Sequence, residues 1–303
     1  MANITAAMVK ELREVSGAGM MDCKKALAEC DGNMEEAIEF LRKSGAMKAE
    51  KKASRIAAEG ICRIALADGK AAVVEVNSET DFVAKNEVFQ TFVQTVADQA
   101  LESSAADVDA LLTENFKGDA SKTVKDALVE KVATIGENLN IRRFEKIEAP
   151  ITVGYIHGGG RIGVIVGAEG TKNDATEEAL KNVAMQIAAL NPKCISREDL
   201  DPSYVEHEKA ILLEQINNDP KEASKPDKVK EGMINGRINK ELKDICLVDQ
   251  VYVKAEDGKQ TVAAYLKTVA ADLKVVKFVR FETGEGLEKK NEDFAAEVAA
   301  QLQ

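Results

Sequence analysis

The sequence is poor in the residues on which many catalytic and stabilising sites depend. It has no tryptophan, two histidines and only 4% aromatic residues among 303 positions. Its five cysteines include no CxxC pair, which argues against a disulfide framework or a zinc site and favours a reduced cytosolic compartment. No apolar run approaches the roughly twenty residues of a membrane span, and the N-terminus lacks the apolar core of a signal peptide. We therefore expect a soluble, cytoplasmic protein that does not enter a membrane.

Basic side chains are also in the minority. Lys and Arg number 41, whereas Asp and Glu number 52, so the net charge at pH 7 is −11. Surfaces that bind nucleic acid through its phosphates are basic, and this balance therefore argues against direct nucleic-acid binding. A protein or a small molecule is the favoured partner.

The signatures of a nucleotide site are missing or stand in the wrong context. The phosphate loop GxxxxGK[ST] does not occur. GGGRIG, residues 158–163, has the letters of a dinucleotide fingerprint, but that motif needs a helix after it, and strand-like residues follow here. We interpret it as a hairpin turn and expect no cofactor. His207 stands in a charged arm and is expected at the surface, while for His157, at the glycine-rich turn, a structural and a functional role stay equally open.

Residues 1–45 have the pattern of three short amphipathic helices separated by GAG and DGN. Thr5 is placed to cap the first helix, and Asn33, with Glu36 three residues later, has the capping-box pattern that opens the third. We expect a minimal three-helix bundle. The following residues 46–60 are charged or small, and they predict a helical linker.

From residue 61 the apolar pattern changes to the period of two that is typical of strands. Asp68-Gly69 is the turn of a predicted hairpin, and an amphipathic helix follows. The same order of hairpin and helix recurs 91 residues later, with Gly160 in the place of Gly69, and this indicates a duplicated unit. Each copy would gain a third strand from a distant segment: residues 141–147 for the first and residues 275–282 for the second.

The second copy is interrupted by two apolar-striped helical arms that are typical of an antiparallel coiled-coil hairpin. The stripe consists of Val205, Leu212 and Ile216 in the first arm and Val229, Met233, Ile238, Leu242 and Ile245 in the second. A C-terminal helix would carry Phe294 and Val298 on one face. The sequence thus predicts an α+β protein that begins with a three-helix domain (residues 1–45), a linker (46–60) and the first core subdomain (61–150). The second core subdomain consists of two parts, residues 151–195 and 249–283, with the coiled-coil hairpin (196–248) between them. A C-terminal module (284–303) follows.

Two motifs each allow two interpretations. In SETDFVAKNEVF, residues 78–89, Asp81 is either the N-cap of a helix with Phe82 folded back as its staple, or part of a loop that exposes Phe82. In GAGMMDCKKAL, Met20 and Met21 either pack beneath a helix–helix turn or form an adaptable contact patch at a loop tip.

Five segments carry a family resemblance over essentially the whole chain, in order: MVKELREVSGAGMMDCKKAL, EVNSETDFVAKNEVF, KVATIGENLNIRRF, GRIGVIV and FVRFETGEGLEKKNEDFAAEVAAQ. They resemble bacterial elongation factor Ts, the guanine nucleotide exchange factor of elongation factor Tu. The resemblance implies a ubiquitin-associated-like three-helix domain, a core of two similar α+β subdomains with small antiparallel sheets, a protruding coiled coil and a C-terminal module.

The resemblance also implies a function and its residues. The protein would bind elongation factor Tu in its GDP state, disturb the magnesium and phosphate site and release GDP, without enzymatic chemistry. The matching exchange loop is Thr80, Asp81, Phe82 and Val83. The matching contacts are Arg13, Met20 and Met21 for the nucleotide-binding domain of factor Tu, and Ile135 and His157 for its third domain. Two-to-two complexes occur in the family, so a homodimer is open. The alternative is a ubiquitin-associated-type adaptor without exchange activity.

Overall fold

The computed structural model describes residues 4–288 and shows an α+β protein with helices at its N-terminus and two three-stranded antiparallel sheets. The N-terminal helical head contains three helices: α1 (Ala6–Ser16), α2 (Met20–Glu29) and α3 (Met34–Lys52). Thr5 caps α1, as predicted, because its side chain accepts the N–H of Met8 at 3.3 Å. α3 continues past the expected boundary at residue 45 and ends only at Lys52.

The start of α3 differs in one detail from the predicted capping box. Asn33 accepts the backbone N–H groups of Glu35 and Glu36 at 3.0 and 3.3 Å, so it is the N-cap. The Glu36 carboxylate binds the side-chain amide of Asn33 at 3.0 Å instead of its backbone N–H, and only half of the box forms. The head is closed by its own small core: Val9, Leu12, Cys23, Ala26, Leu27 and Ala37 are buried.

The first core subdomain follows the head. Its elements are β1 (Glu59–Ala67), β2 (Lys70–Ser78), α4 (Asp81–Ala84), α5 (Glu87–Glu102), α6 (Val108–Thr113), β3 (Asn115–Phe116), β4 (Asp119–Thr123), α7 (Val124–Ile135) and β5 (Asn140–Glu148). The three long strands pair antiparallel in the order β1-β2-β5, so the distant third strand occupies its predicted place. α5, α6 and α7 cover the outer face of this sheet through a large apolar cluster.

The second subdomain repeats this plan. Its elements are β6 (Ile151–His157), β7 (Ile162–Glu169), α8 (Asp174–Leu190), α9 (Pro202–Asn218), α10 (Asp227–Ile245), α11 (Val262–Val269) and β8 (Lys274–Glu282). The strand order β6-β7-β8 confirms the predicted repeat. Gly158–Gly160 form a 3-10 turn with strand β7 directly after it, which confirms that GGGRIG is a hairpin turn. α8 and α11 cover the outer face.

The two sheets pack face to face, so the core has four layers with helices on both outsides. An apolar cluster lies between the sheets, and side chains of the first sheet pack there directly against glycines of the second. A Cβ at Gly163 would lie 2.9 Å from the Cβ of Cys62, and a Cβ at Gly167 would lie 2.5 Å from a methyl carbon of Ile147. These distances are shorter than real contacts allow, so the spacing between the sheets requires glycine at both positions.

A buried carboxylate bonds the two subdomains together. Glu75 of β2 is completely buried, and its carboxylate accepts Arg142 Nη1 at 3.0 Å, Arg143 Nε at 2.6 Å and the backbone N–H of Gly284 at 2.8 Å. Neighbouring residues of a strand normally point to opposite faces, but a register shift between β2 and β5 lies at this position. The shift lets both arginines reach one carboxylate.

The arms α9 and α10 pack against each other, and their contact is only partly as predicted. Ile216, Ile238 and Leu242 are buried there. The prediction for Val229 is wrong because its side chain is exposed, and Ile234 lies in the contact instead. The supercoiled form of this pair stays a prediction. The predicted C-terminal helix with Phe294 and Val298 lies outside the described residues. No helix within residues 4–288 is long and apolar enough to cross a membrane.

The cysteine thiols differ in accessibility, and we expect them to differ in reactivity. Burial raises the pKa of Cys62 to about 11 and that of Cys246 to about 12. Cys246 also lies 3.4 Å from Cys194, sulfur to sulfur, at the base of the α9–α10 pair. At pH 8 a thiol with a pKa of about 11 is only about 0.1% thiolate, which is the reactive form.

In the folded protein, iodoacetamide at pH 8 should therefore alkylate the half-buried Cys30 first and the buried thiols much more slowly. Peptide mapping by mass spectrometry after short exposure measures the order, and the urea-unfolded chain is the reference for equal reactivity. The variant Cys30→Ser should lose the fast phase. Fast alkylation of Cys62 or Cys246 in the folded protein contradicts the prediction.

Candidate functional site

Phe82 lies on the surface in the single helical turn of α4, between β2 and α5. Its side chain is 79% exposed, more than any other large hydrophobic side chain of the described residues. The staple interpretation is therefore wrong, because a staple packs against its own helix. Val83, the next residue, is buried in the core of the first subdomain and anchors the turn. One apolar side chain of α4 thus holds the turn in place, and its neighbour is presented to solvent.

Thr80, not Asp81, is the N-cap of α4. The Thr80 hydroxyl accepts the N–H of Val83 at 3.4 Å. Asp81 is the first residue of the helix, and its carboxylate binds the ammonium group of Lys85 at 2.6 Å, which holds the pKa of Asp81 below its ordinary value. The N-cap interpretation of Asp81 is wrong because Asp81 is already a helical residue of α4, and Asn86 caps the longer helix α5 by accepting the N–H groups of Val88 and Phe89 at 2.9 and 3.2 Å. The Lys85 ammonium also lies 6.0 Å from the Phe82 ring centroid.

A second segment holds the base of this turn. The Glu137 carboxylate accepts the backbone N–H groups of Glu79 and Thr80, both at 3.0 Å, and the Thr80 hydroxyl at 2.6 Å. In return, the Glu79 carboxylate accepts the backbone N–H of Asn138 at 2.6 Å. The loops after β2 and after α7 are therefore bonded to each other from both sides. Glu137 was not among the predicted site residues, although it lies in the segment KVATIGENLNIRRF.

The head presents its own exposed cluster at the junction of α1 and α2. Gly17 has a φ of 66° and ends α1, so the chain turns and Met20 and Met21 begin α2. Both methionines are exposed, at 59% and 77%, and the interpretation that they pack beneath the turn is wrong for both. Arg13, in the last turn of α1, and Val15 are exposed beside the same turn.

The helical head is joined to the first subdomain by packing and hydrogen bonds as well as by the continuous chain. α3 packs along α7, and a Cβ at Gly45 would lie 3.4 Å from the Cβ of Ala133. The Lys52 ammonium donates to the carbonyl of Gly136, and the Asn138 side chain donates to the carbonyl of Arg55 at 2.8 Å. The segment between head and core is thereby bonded to the loop that carries Glu137.

The remaining two predicted residues lie apart from each other. Ile135 ends α7 and is half-buried against the core of the first subdomain. His157 ends β6 in the second subdomain and is exposed, with its Nδ1 2.9 Å from the hydroxyl of Tyr155. Ile135 precedes Glu137 by two residues, and Glu137 is hydrogen-bonded to Thr80 at the base of α4. His157 belongs to a separate part of the surface.

Comparison with known proteins identifies the family. The family model described as "Elongation factor TS" matches residues 79–285, which is more than half of the chain. The chain belongs to the elongation factor Ts family. Elongation factor Ts of Clostridioides difficile (strain 630) is 52% identical over 308 aligned residues that cover 100% of both chains. Elongation factor Ts of Clostridium botulinum (strain 657 / Type Ba4) is 47% identical over 99% of this chain and 98% of its own.

Membership of the elongation factor Ts family makes the protein a translation elongation factor. The family-model match begins at Glu79, so it includes the loop of Thr80 to Val83, Ile135 and His157. The helical head precedes that match, and its similarity to elongation factor Ts rests on the full-length relatives.

Proposed function

We propose that this elongation factor Ts family member binds elongation factor Tu in its GDP state and catalyses the release of GDP, so that GTP can bind. The observation that supports the proposal most directly is Phe82, a large aromatic side chain held out from a capped and anchored helical turn. A partner that buries this ring gains roughly 1.5 to 3 kcal/mol from the hydrophobic effect. Because α4 is already ordered, little conformational entropy is lost on insertion.

The proposed target of the wedge is the magnesium and phosphate site of factor Tu. A magnesium ion requires near-ideal octahedral ligation by oxygen, so small displacements of its ligands and waters weaken its binding. Insertion of Phe82 beside such a site would displace the elements that hold the ion. No covalent bond is made or broken, so the protein would act as an exchange catalyst and not as an enzyme.

Linkage constrains this mechanism. If the protein lowers the affinity of factor Tu for GDP, then GDP lowers the affinity of factor Tu for the protein by the same ratio. The ternary complex is therefore transient, and excess nucleotide releases the protein. A tight complex that is indifferent to GDP is incompatible with the proposal.

The direct test is the time course of release of fluorescent GDP from factor Tu in the presence of excess unlabelled nucleotide. The full-length protein at substoichiometric concentration should accelerate the release, because each molecule acts repeatedly. The adaptor alternative predicts binding to factor Tu or another protein with an unchanged release rate. Binding to factor Tu without faster GDP release would therefore contradict the exchange proposal and favour the adaptor alternative.

The exposed methionines are proposed as the second contact, together with Arg13. Methionine side chains are flexible and polarisable, and they adapt to a partner surface. The double variant Met20→Ala/Met21→Ala should weaken the complex with nucleotide-free factor Tu by at least about tenfold, since each buried methionine is worth more than 1.4 kcal/mol. Titration calorimetry measures the affinity.

Met47 supplies a matched control for this prediction. It is a methionine of the same helical head, on α3, and it is as exposed as Met20, at 59%. Met47→Ala should bind factor Tu with unchanged affinity. An unchanged affinity of the double variant, or an equal loss in Met47→Ala, would contradict a specific contact at Met20 and Met21.

A further inference from the structure

We propose that Glu137 is the positioning residue of the exchange loop, and this inference rests on the exchange function proposed above. Its carboxylate makes three hydrogen bonds to the base of α4, two from successive backbone N–H groups and one from the Thr80 hydroxyl. Hydrogen bonds to an ionised acceptor are the stronger kind. Glu137 is 57 positions away from Thr80 in the chain, and it lies immediately after α7.

The hydroxyl bond links Glu137 to the helix cap. Thr80 Oγ1 donates its hydrogen to Glu137 Oε1 at 2.6 Å, so its lone pairs face away from the carboxylate. Those lone pairs accept the N–H of Val83 at 3.4 Å and thereby cap α4. Glu137 thus fixes the rotation of the hydroxyl that starts the helical turn on which Phe82 lies.

Glu137 is itself held in place by its neighbours. Gly136, with a φ of 89°, ends α7 and turns the chain so that residue 137 faces the loop after β2. The next residue, Asn138, donates its backbone N–H to Glu79 and its side-chain amide to Arg55. Glu137 is half-buried, with its carboxylate occupied inside the protein. Because its carboxylate is occupied by these bonds, we expect it to act on a partner through the position of Phe82, which makes it a positioning residue.

Loss of the carboxylate would leave two backbone N–H groups and the Thr80 hydroxyl without their acceptor. The turn would then visit other conformations, and insertion of Phe82 would have to order it first. We expect the maximal rate of GDP release at saturating protein to fall by about tenfold in Glu137→Ala. The concentration for half-saturation should change less, because the methionine patch and His157 stay intact.

Two conservative variants distinguish the effect of the length of the Glu137 side chain from the effect of its charge. Glu137→Gln keeps the length of the side chain and one oxygen that can accept the two N–H groups, but its amide nitrogen cannot accept the Thr80 hydroxyl, so its exchange rate should lie between those of the parent and the alanine variant. Glu137→Asp keeps the charge but is shorter by one methylene group, so it should behave like the alanine variant. The opposite order, with Asp active and Gln inactive, would show that the charge acts on the partner directly and would overturn the proposal.

A double-variant cycle with Phe82 excludes a general structural role. If Glu137 acts through the ring, Glu137→Ala should have little further effect once Phe82 is alanine. Two effects that multiply independently would overturn the proposal. Backbone hydrogen exchange in the free variant gives a readout without factor Tu: the amides of residues 79–83 should exchange faster than in the parent protein.

The outcomes also distinguish this proposal from the proposed function. If the parent protein does not accelerate GDP release, the exchange function is wrong, whatever Glu137 does. If the parent is active and Glu137→Ala exchanges nucleotide at the parent rate despite faster hydrogen exchange at residues 79–83, the positioning role is wrong and the exchange function stands. A variant that unfolds globally is recognised by circular dichroism, and the Gln and Asp variants then decide.

Discussion

If the protein catalyses GDP release from factor Tu as proposed, Phe82→Ala is expected to slow that release by about 10- to 100-fold. The range follows from the roughly 1.5 to 3 kcal/mol that burial of one phenylalanine contributes, at about 1.4 kcal/mol for each factor of ten in rate. Because the ring is 79% exposed in the free protein, its removal should leave the midpoint of thermal unfolding nearly unchanged. Fluorescent GDP release and circular dichroism measure the two quantities.

Val253→Ala is the matched control for Phe82. Val253 is an exposed apolar residue, at 47%, and it lies in the second subdomain, away from α4. Its removal should leave exchange unchanged. A substitution of Phe82 by leucine should give an intermediate rate, since it keeps most of the apolar volume. Normal exchange by Phe82→Ala, or unfolding of that variant, would show that the ring is not the wedge.

Of the substitutions proposed, Glu75→Ala is expected to lower the free energy of unfolding the most. The substitution leaves two guanidinium groups and the N–H of Gly284 without their shared acceptor. Removal of one partner from a buried ion pair costs 3 to 5 kcal/mol, and we expect about 3 kcal/mol here because the side chains of Arg142 and Arg143 remain 22% and 29% exposed. Urea unfolding should show the loss as a lower midpoint.

Two further variants test the origin of that loss. Glu148→Ala removes a carboxylate from β5 of the same sheet, but that side chain is 74% exposed in its pair with Lys70, so the loss should stay below about 0.5 kcal/mol. Glu75→Gln keeps an acceptor for Gly284 and removes the charge, so its stability should lie between alanine and the parent. Equal stabilities of Glu75→Ala and Glu148→Ala would contradict the argument.

Much of the fold follows from local patterns in the sequence. The Asp68-Gly69 turn, the period of two on either side of it and the same pattern around Gly160 sufficed to predict both hairpins. The distant third strands were predicted from the mixture of apolar and polar residues in 141–147 and 275–282. The elements α6, β3, β4, α7 and α11 were not predicted. For α6, β3 and β4 the reason is that segments of two to six residues have too few positions to show a period. The continuation of α3 to Lys52 was expected only as a helical linker, since its packing against α7 is a long-range contact.

A site residue was predictable where its own type and position mark it, and not where its role depends on a contact with a residue distant in the sequence. Phe82 stood out as an aromatic side chain in a chain that has few. Thr80 and Asp81 are both good N-caps, and the structure assigns the cap to Thr80, whose backbone is extended and whose hydroxyl accepts the N–H of Val83. Glu137 reaches Thr80 from a different loop, and no local pattern reports such a contact. Glu75 has a recognisable signal in the sequence: it is a lone carboxylate in the apolar run AAVVEV, and two adjacent arginines lie in the third strand predicted for the same unit, which pairs with it in the structure.

The packing of α3 along α7 has a consequence for affinity. The methionine patch of the head and the ring of Phe82 are held at a fixed separation, since α3 ends against the loops that carry Glu79 and Glu137. If both contact factor Tu as proposed, binding of one places the other near its own binding site at a high effective concentration, without a search by a flexible tether. Two contacts of modest affinity can then bind as one bivalent unit. A few glycines inserted after Lys52 would uncouple them, so that each contact binds separately and weakly.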